Sequence, residues 1–211
     1  MGTHRTRDVA EEPQAEAEVG LWIPDQGSWV ASRGVADLET GRPMTPDLQA
    51  PIGSITKTFT VMIALQLVGE SRLSLDDTID QWYPRITDAS LIKVRMLMNH
   101  SSGIADISQP QVDRHCADPH HFASPEELIQ IGAALLRAPF APGDGSLYSS
   151  VNTIILGRIL EKVTNESYAS LMRERLLKPI GLDRTKLDTD GSLEPPFFRL
   201  FPGCCASELE A

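Results

Sequence analysis

The pattern of apolar positions is densest between residues 54 and 68, where it predicts a helix. Phe59, Ile63 and Leu67 are among the apolar residues that fall on almost every side of this helix. A helix that is apolar all round is buried in a protein core instead of lying on its surface. Gly53 and Ser54 stand at the start of this segment, so the pattern predicts a hydroxyl group on the first turn of a buried helix.

A β-hairpin is predicted nearer the N-terminus. Two runs of β-favouring residues, 21–23 and 28–36, flank a turn that contains Pro24 and Gly27. This arrangement is typical of two antiparallel strands joined by a short turn. Residues 37–51 contain repeated turn residues and predict a loop that delivers the chain to Ser54.

Further helices are predicted along the rest of the chain. A short helical segment that starts with residues 73–79 stops at Tyr83 and Pro84, because proline disfavours helix in the preceding residue. Ser124 is suited to cap the next long helix, with Pro125 in its first turn and Glu127 completing a capping box. The predicted helices after residue 79 cover 94–98, 125–137, 151–163 and 168–177.

Composition limits the classes of partner. With 211 residues and 41% hydrophobic positions, the chain is long enough to bury a core and is typical of a soluble globular protein. Its 19 basic and 29 acidic residues give a net charge of −10, spread along the sequence without a basic cluster. Nucleic acid is therefore not an expected partner, because phosphate binding needs concentrated positive charge.

Cysteine and histidine do not predict a disulfide framework or a metal site. The three cysteines are Cys116 and the adjacent pair Cys204 and Cys205, and no Cys/His spacing resembles a zinc site. Histidines 115, 120 and 121 lie in a segment, 106–123, that lacks periodicity and predicts a surface excursion. They have no spaced carboxylate or cysteine partners, so no metal is expected.

Ser54 and Lys57 form the first candidate constellation. Residues three apart share one face of a helix, so their side chains can touch. A serine hydroxyl needs a base within hydrogen-bond reach to become a nucleophile, and Lys57 can serve if burial and nearby positive potential remove its proton. The start of a helix also offers backbone N–H groups to a developing oxyanion.

The alternative interpretation of this pair is an N-cap serine followed by a solvated lysine, because Ser-x-x-Lys alone occurs by chance in many helices. A second element changes the balance. Tyr148, followed by Ser149 and Ser150, stands about 90 residues later at the start of another apolar helix. A phenol beside Lys57 could carry protons between the nucleophile and a leaving group.

With these elements the sequence resembles the serine β-lactamase and penicillin-binding-protein superfamily, in its class C β-lactamase, D-alanyl-D-alanine carboxypeptidase and esterase branch. The resemblance extends over roughly residues 20–186. It is carried by four segments: PIGSITKTFT (51–60), VRMLMNHSSGI (94–104), YSSVNTIILG (148–157) and KPIGLDRT (178–185).

The resemblance implies a role for each matching residue. Ser54 corresponds to the acylated nucleophile, Lys57 to its base partner and Tyr148 to the general acid/base. The second box of the family is usually Tyr-x-Asn, whose asparagine contacts the substrate; here Ser150 takes that place with a shorter hydrogen-bonding group. His100 lies in a segment that resembles a fold-shaping turn.

The resemblance also implies an α/β (α+β) fold with a helical subdomain and an antiparallel sheet. The family carries a third box, Lys or His followed by Thr or Ser and Gly, on a strand that lines the site, and no such triplet follows Tyr148. We therefore expect a sheet that lacks its C-terminal strands. The expected organisation is a disordered or weakly helical lead-in over 1–18, a partial β-lactamase-related domain over 19–187 and a divergent tail over 188–211.

The function implied is that of a serine hydrolase that forms an acyl-enzyme with a β-lactam, a D-Ala-D-Ala peptide or a small ester, without a metal or organic cofactor. The alternative is an inactive truncated fragment that at most binds ligands. The expected partner is a small molecule or peptide, and the oligomeric state stays open. The first 18 residues carry no secretory signal and no run approaches the ~20 apolar residues of a membrane span, whereas the family often acts outside the cytoplasm.

Overall fold

The computed structural model describes residues 17–37, 40–107, 123–135 and 137–187. These residues fall into two compact units, one that ends at Pro51 and one that begins at Ile52. Most of the predicted lead-in, the excursion around His115 and the tail from residue 188 lie outside the described residues.

The predicted hairpin is present in the first unit. Strand β1 (Ala17–Ile23) pairs antiparallel with β2 (Gly27–Arg33), and Leu21 lies opposite Trp29. The turn between the strands is closed by a hydrogen bond from the Gln26 N–H to the Ile23 carbonyl. Strand β1 begins two residues inside the range expected for the lead-in, because Ala17 and Glu18 find backbone partners on β2.

A second small sheet follows the hairpin. Strand β3 (Val35–Asp37) pairs antiparallel with β4 (Arg42–Pro43). The expectation of a continuous strand over 28–36 was wrong, because Gly34 adopts φ of +102° and separates β2 from β3. The expectation of a loop throughout 37–51 was also wrong, since β4 lies inside it.

The second unit is helical. A 3₁₀ turn at Gly53–Ile55 precedes its first α-helix, and its last α-helix continues into a π-helical turn at Arg173–Leu177. A further 3₁₀ turn lies at Ile79–Gln81. The α-helices are α1 (Thr56–Gly69), α2 (Val94–Met98), α3 (Pro125–Ala134), α4 (Ser150–Thr164) and α5 (Tyr168–Met172). None of the helices in the described ranges is long and apolar enough to span a membrane.

Helix α4 is the centre of this unit and packs against α1, α2, α3 and α5. Ile155, Leu156, Ile159 and Leu160 on α4 are fully buried. Burial of each such side chain contributes roughly 1.5–3 kcal/mol relative to exposure. The core therefore fixes the first turn of α4, which begins two residues after Tyr148.

Helix α1 is buried on one side only. Ile63, Ala64 and Leu67 are fully buried, whereas Met62 and Leu65 are 50% and 43% exposed. The expectation that this helix is buried all round was therefore wrong for the described residues. The core packs against a single face of α1, and apolar residues on the other face meet solvent.

Local hydrogen bonds explain the difference between prediction and structure after residue 73. The Ser74 N–H donates to Asp77 Oδ2, and the Asp76 N–H donates to Ser74 Oγ. Such side-chain bonds compete with helix formation, and the helical segment predicted to start at 73 and stop at Tyr83 is reduced to the 3₁₀ turn Ile79–Gln81. The Ser124 cap is confirmed, because its Oγ accepts a hydrogen bond from the Glu127 N–H at 3.2 Å.

Candidate active site

Ser54 lies in the 3₁₀ turn that leads into α1, and it is exposed. The preceding Gly53 has φ of +51°, and a Cβ at this position would meet no atom within 4 Å. Glycine is favoured here by backbone conformation and not by lack of space, because other residues pay ~1–2 kcal/mol in the left-handed region. Gly53 thus allows the sharp entry that presents Ser54.

Lys57 stands on the first turn of α1, three residues after Ser54. Its Nζ donates a hydrogen bond to Ser54 Oγ at 3.0 Å. This contact is the one that the three-residue spacing predicts, since residues i and i+3 share a helix face. The serine hydroxyl therefore has a nitrogen group within the reach that proton transfer or electrostatic stabilisation requires.

Tyr148 reaches the same hydroxyl from a position 94 residues away. Its Oη lies 2.8 Å from Ser54 Oγ, and Lys57 Nζ lies 5.1 Å from the centroid of its ring. The loop before α4 presents this side chain, which is 46% exposed. The structure therefore brings Ser54, Lys57 and Tyr148 together, while their catalytic roles stay predictions.

The surroundings of Tyr148 favour its ionised form. Hydrogen bonding from Lys57 is the main cause that lowers the pKa of the Tyr148 phenol, and the hydrogen bond from Ser54 adds to it. Burial instead raises the pKa of both other tyrosines, Tyr83 and Tyr168. Tyr148 is therefore the tyrosine best suited to accept a proton from Ser54.

Ser150 lies at the first position of α4. Its backbone N–H donates to Asp106 Oδ1 at 2.8 Å, and its hydroxyl also contributes to lowering the pKa of Tyr148. Ser150 is thus next to the Tyr148 phenol, the predicted general acid/base. Its role in substrate binding stays a prediction.

Two residues that sequence reasoning did not place in the site lie directly behind Tyr148. The His100 ring is 4.8 Å from the Tyr148 ring, centroid to centroid, with the planes tilted by 32°. Asn152 is fully buried and its Nδ2 lies 3.3 Å from His100 Nδ1. A signal for Asn152 existed in the sequence, because it is a lone amide between apolar residues of a packed helix.

The arrangement has the parts of a nucleophilic site. An exposed hydroxyl contacts both a cationic side chain and a phenol of lowered pKa, which is the pattern of a serine activated by a neighbouring base. Within the described ranges, no group of three or more His, Cys, Asp and Glu side chains is placed to hold a metal ion.

Comparison with known protein families gives one match over most of the chain. The family model described as Beta-lactamase matches residues 7–197. Among curated proteins, a D-aminopeptidase of Brucella anthropi is 34% identical over 161 residues, which are 76% of this chain and 30% of that protein. Esterase EstB of Burkholderia gladioli is 30% identical over 165 residues, covering 72% of this chain and 41% of the esterase. The chain thus spans less than half the length of these relatives.

A solved structure shares the fold. The D-amino acid amidase from Ochrobactrum anthropi SV3, complexed with D-phenylalanine, has a TM-score of 0.69 to this chain at 27% sequence identity. The similarity covers 79% of this chain and 45% of the amidase.

Proposed function

Since the chain belongs to the beta-lactamase family, we propose that it is a serine hydrolase that cleaves amide or ester bonds through an acyl-enzyme on Ser54. Family membership confirms the resemblance and the α/β fold class expected from the sequence. The observation that carries the proposal is the chain of contacts from Lys57 Nζ to Ser54 Oγ to Tyr148 Oη, at 3.0 and 2.8 Å.

In the first half of the proposed reaction, Ser54 Oγ attacks the carbonyl carbon of the substrate. The Oγ–C bond forms while the hydroxyl proton moves to the Tyr148 phenolate. The tetrahedral intermediate collapses as Tyr148 returns this proton to the leaving amine or alcohol. Positive charge on Lys57 stabilises the phenolate before attack and the developing negative charge afterwards.

In the second half, water releases the acyl group. Tyr148 takes one proton from the attacking water and delivers it to Ser54 Oγ as the ester bond breaks. The net change is hydrolysis of one amide or ester bond by one water molecule. No metal or organic cofactor takes part in this scheme.

The relatives support a choice of substrates to test. The curated relatives are named D-aminopeptidase and esterase, and the related solved structure is a D-amino acid amidase. We propose a small amide of a D-amino acid as the first substrate to test, with a small ester as the second. A β-lactam and a D-Ala-D-Ala peptide contain the same type of reacting carbonyl and complete the panel.

Covalent labelling tests the nucleophile directly. Folded protein is incubated with a fluorophosphonate probe or a fluorescent penicillin, and the labelled peptide is identified by mass spectrometry. We expect one adduct, at Ser54, and none in Ser54→Ala. Ser90→Ala removes another exposed serine and is expected to label like the parent protein.

Turnover separates hydrolysis from ligand binding. Release of D-phenylalanine from its amide is compared with release from the L-enantiomer and with cleavage of a nitrophenyl ester. Ser54→Ala should abolish each activity that the parent shows. Absence of any Ser54 adduct and any turnover in folded protein would contradict the hydrolase and support the ligand-binding alternative.

A further inference from the structure

His100 contacts three consecutive residues around the Tyr148 phenol. Its carbonyl oxygen accepts a hydrogen bond from the Leu147 N–H at 3.0 Å. Its ring packs against the Tyr148 ring, and its Nδ1 accepts a hydrogen bond from the Ser149 N–H at 3.3 Å. A single residue therefore fixes the backbone on both sides of Tyr148 as well as the face of its ring.

The backbone of His100 is adapted to this position. It has φ of +61°, a left-handed conformation that non-glycine residues adopt infrequently, although histidine, asparagine and aspartate do so more often than most. The conformation directs the carbonyl towards residue 147 while the ring faces Tyr148 and Ser149. A glycine could adopt the same backbone at lower cost, but it would lack the ring.

A network of polar groups sets the protonation of the His100 ring. The Ser149 N–H can only donate, so Nδ1 must carry a lone pair. Asn152 agrees with this assignment, because its Oδ1 accepts from Ser102 Oγ at 2.6 Å and its NH₂ group therefore faces His100 Nδ1. The neutral ring thus carries its hydrogen on Nε2.

Electrostatics favours the same neutral form. Burial is the main cause that lowers the pKa of His100, and the nearby charge of Lys57 lowers it further. The charge of Asp106 opposes these two effects without outweighing them. A protonated ring could not accept the Ser149 hydrogen bond through Nδ1.

We propose that His100 is a positioning residue that holds the Tyr148 phenol within hydrogen-bond reach of Ser54. This placement has a catalytic use only if the proposed hydrolase function holds, and the inference rests on the proposed function in that respect alone. Without the ring and its Nδ1 acceptor, Tyr148 loses a packing partner and the following backbone N–H loses a hydrogen bond. A reacting group displaced by ~1 Å can lose on the order of 10²-fold in rate.

Ionisation of Tyr148 offers a readout that does not depend on turnover. The chain has three tyrosines, and two of them, Tyr83 and Tyr168, have raised pKa values because they are buried. The first tyrosinate absorbance to appear as pH rises should therefore belong to Tyr148. Tyr148→Phe should remove this first step and thereby assign it.

His100→Gly is the decisive variant. It preserves access to the left-handed backbone and removes the ring, so a change cannot be attributed to backbone strain. We expect the pKa of Tyr148 to rise towards its ordinary value of about 10, because the phenol moves away from Lys57 and Ser54. A folded His100→Gly protein with an unchanged Tyr148 titration would overturn the proposal.

His100→Asn is the conservative variant. Its Oδ1 is separated from Cα by the same number of bonds as Nδ1 and can accept from Ser149, and asparagine tolerates the left-handed backbone. We expect the Tyr148 titration to return part of the way to that of the parent. If His100→Gly does not fold, His100→Asn decides: loss of the ring must then raise the Tyr148 pKa, and an unchanged value rejects the proposal.

The two proposals fail in different ways. If Ser54 is labelled by the serine-directed probe, His100→Gly should reduce the labelling rate about tenfold or more, and kcat should fall more than KM changes. If Ser54 is not labelled and no substrate is turned over, the hydrolase proposal fails, while the tyrosine titration still tests whether His100 positions Tyr148. An intact titration with a slowed labelling rate would contradict positioning through Tyr148.

Discussion

Lys57 is the main influence on the pKa of the candidate base, first as a hydrogen-bond donor to the Tyr148 phenol and to a smaller extent through its charge. Its ammonium lies beside Tyr148 and lowers the pKa of the phenol. We expect Lys57→Met to raise the Tyr148 pKa towards about 10, because the ionised phenolate loses its charged hydrogen-bond donor. Titration of tyrosinate absorbance measures this shift.

The same variant predicts a change in pH dependence. The phenolate is the form that accepts the Ser54 proton, so labelling of Ser54 should accelerate as pH rises through the Tyr148 pKa. Lys57→Met should move this rise to higher pH. Lys57→Arg keeps a charged hydrogen-bond donor and should move it less, whereas equal shifts in the two variants would show that such a donor at position 57 is not the cause.

At the scale of single residues, the sequence predicted those contacts that are local. Ser54 and Lys57 are three positions apart on one helical turn, so their contact follows from helix geometry alone. The contact between Ser54 and Tyr148 crosses 94 positions and was predicted only through family resemblance. The contacts of His100 with Tyr148 depend on a left-handed backbone and tertiary packing, which no local pattern encodes.

Helices α3 and α4 pack closely against each other near the candidate site, at Gly132 and Val151. A Cβ on Gly132 of α3 would lie 2.6 Å from Val151 Cγ2 and 3.0 Å from Cγ1. Val151 is fully buried on the first turn of α4, and its branched side chain has little freedom to rotate. The two helices therefore approach each other as closely as this glycine permits.

We expect Gly132→Ala to destabilise the protein. Glycine-to-alanine replacement in a helix interior ordinarily gains up to ~1 kcal/mol, but overpacking a core costs ~1–3 kcal/mol. The second effect should win, because the clash is with a rigid buried side chain. The free energy of unfolding, measured by urea denaturation, should fall by roughly 1 kcal/mol.

A second substitution provides the control. Combining Gly132→Ala with Val151→Ala removes the clashing methyl groups, so the double variant should be more stable than the sum of the two single effects predicts. A more stable Gly132→Ala protein would show that α4 can shift without cost. Because Tyr148 stands three residues before Val151, the Tyr148 titration should also change in Gly132→Ala.

At the scale of helices and strands, the sequence predicted those elements that nearby residues encode and missed the features that depend on tertiary packing. The hairpin turn, the Ser124 cap and helix α2 follow from residues close together in the sequence. Strand β4 has two residues, too few to show alternation. The one-sided burial of α1 depends on where the other helices pack, which its apolar pattern alone could not reveal.

The molecule as a whole divides its apolar packing unevenly between the two units. Every member of the main buried cluster lies between Ile63 and Leu177, in the unit that contains the candidate site. In the first unit, Trp22 and Trp29 are 72% and 58% exposed. A two-stranded hairpin without a buried face is at best marginally stable.

We therefore expect the two units to differ in local stability. Native-state hydrogen exchange should show backbone amides of β1 and β2 opening with free energies near zero, because few buried side chains hold them. Amides in α1 and α4 should exchange only through much larger openings. Equal protection of the hairpin and of these helices would contradict this expectation.

A substitution in the core tests whether the two units open independently. Ile155→Ala removes a fully buried side chain of α4 and should lower the opening free energy of α1 and α4 amides by ~2–5 kcal/mol. Exchange in β1 and β2 should stay as in the parent, because their openings do not require the core to unfold. A parallel loss of hairpin protection would instead mean that one cooperative transition governs both units.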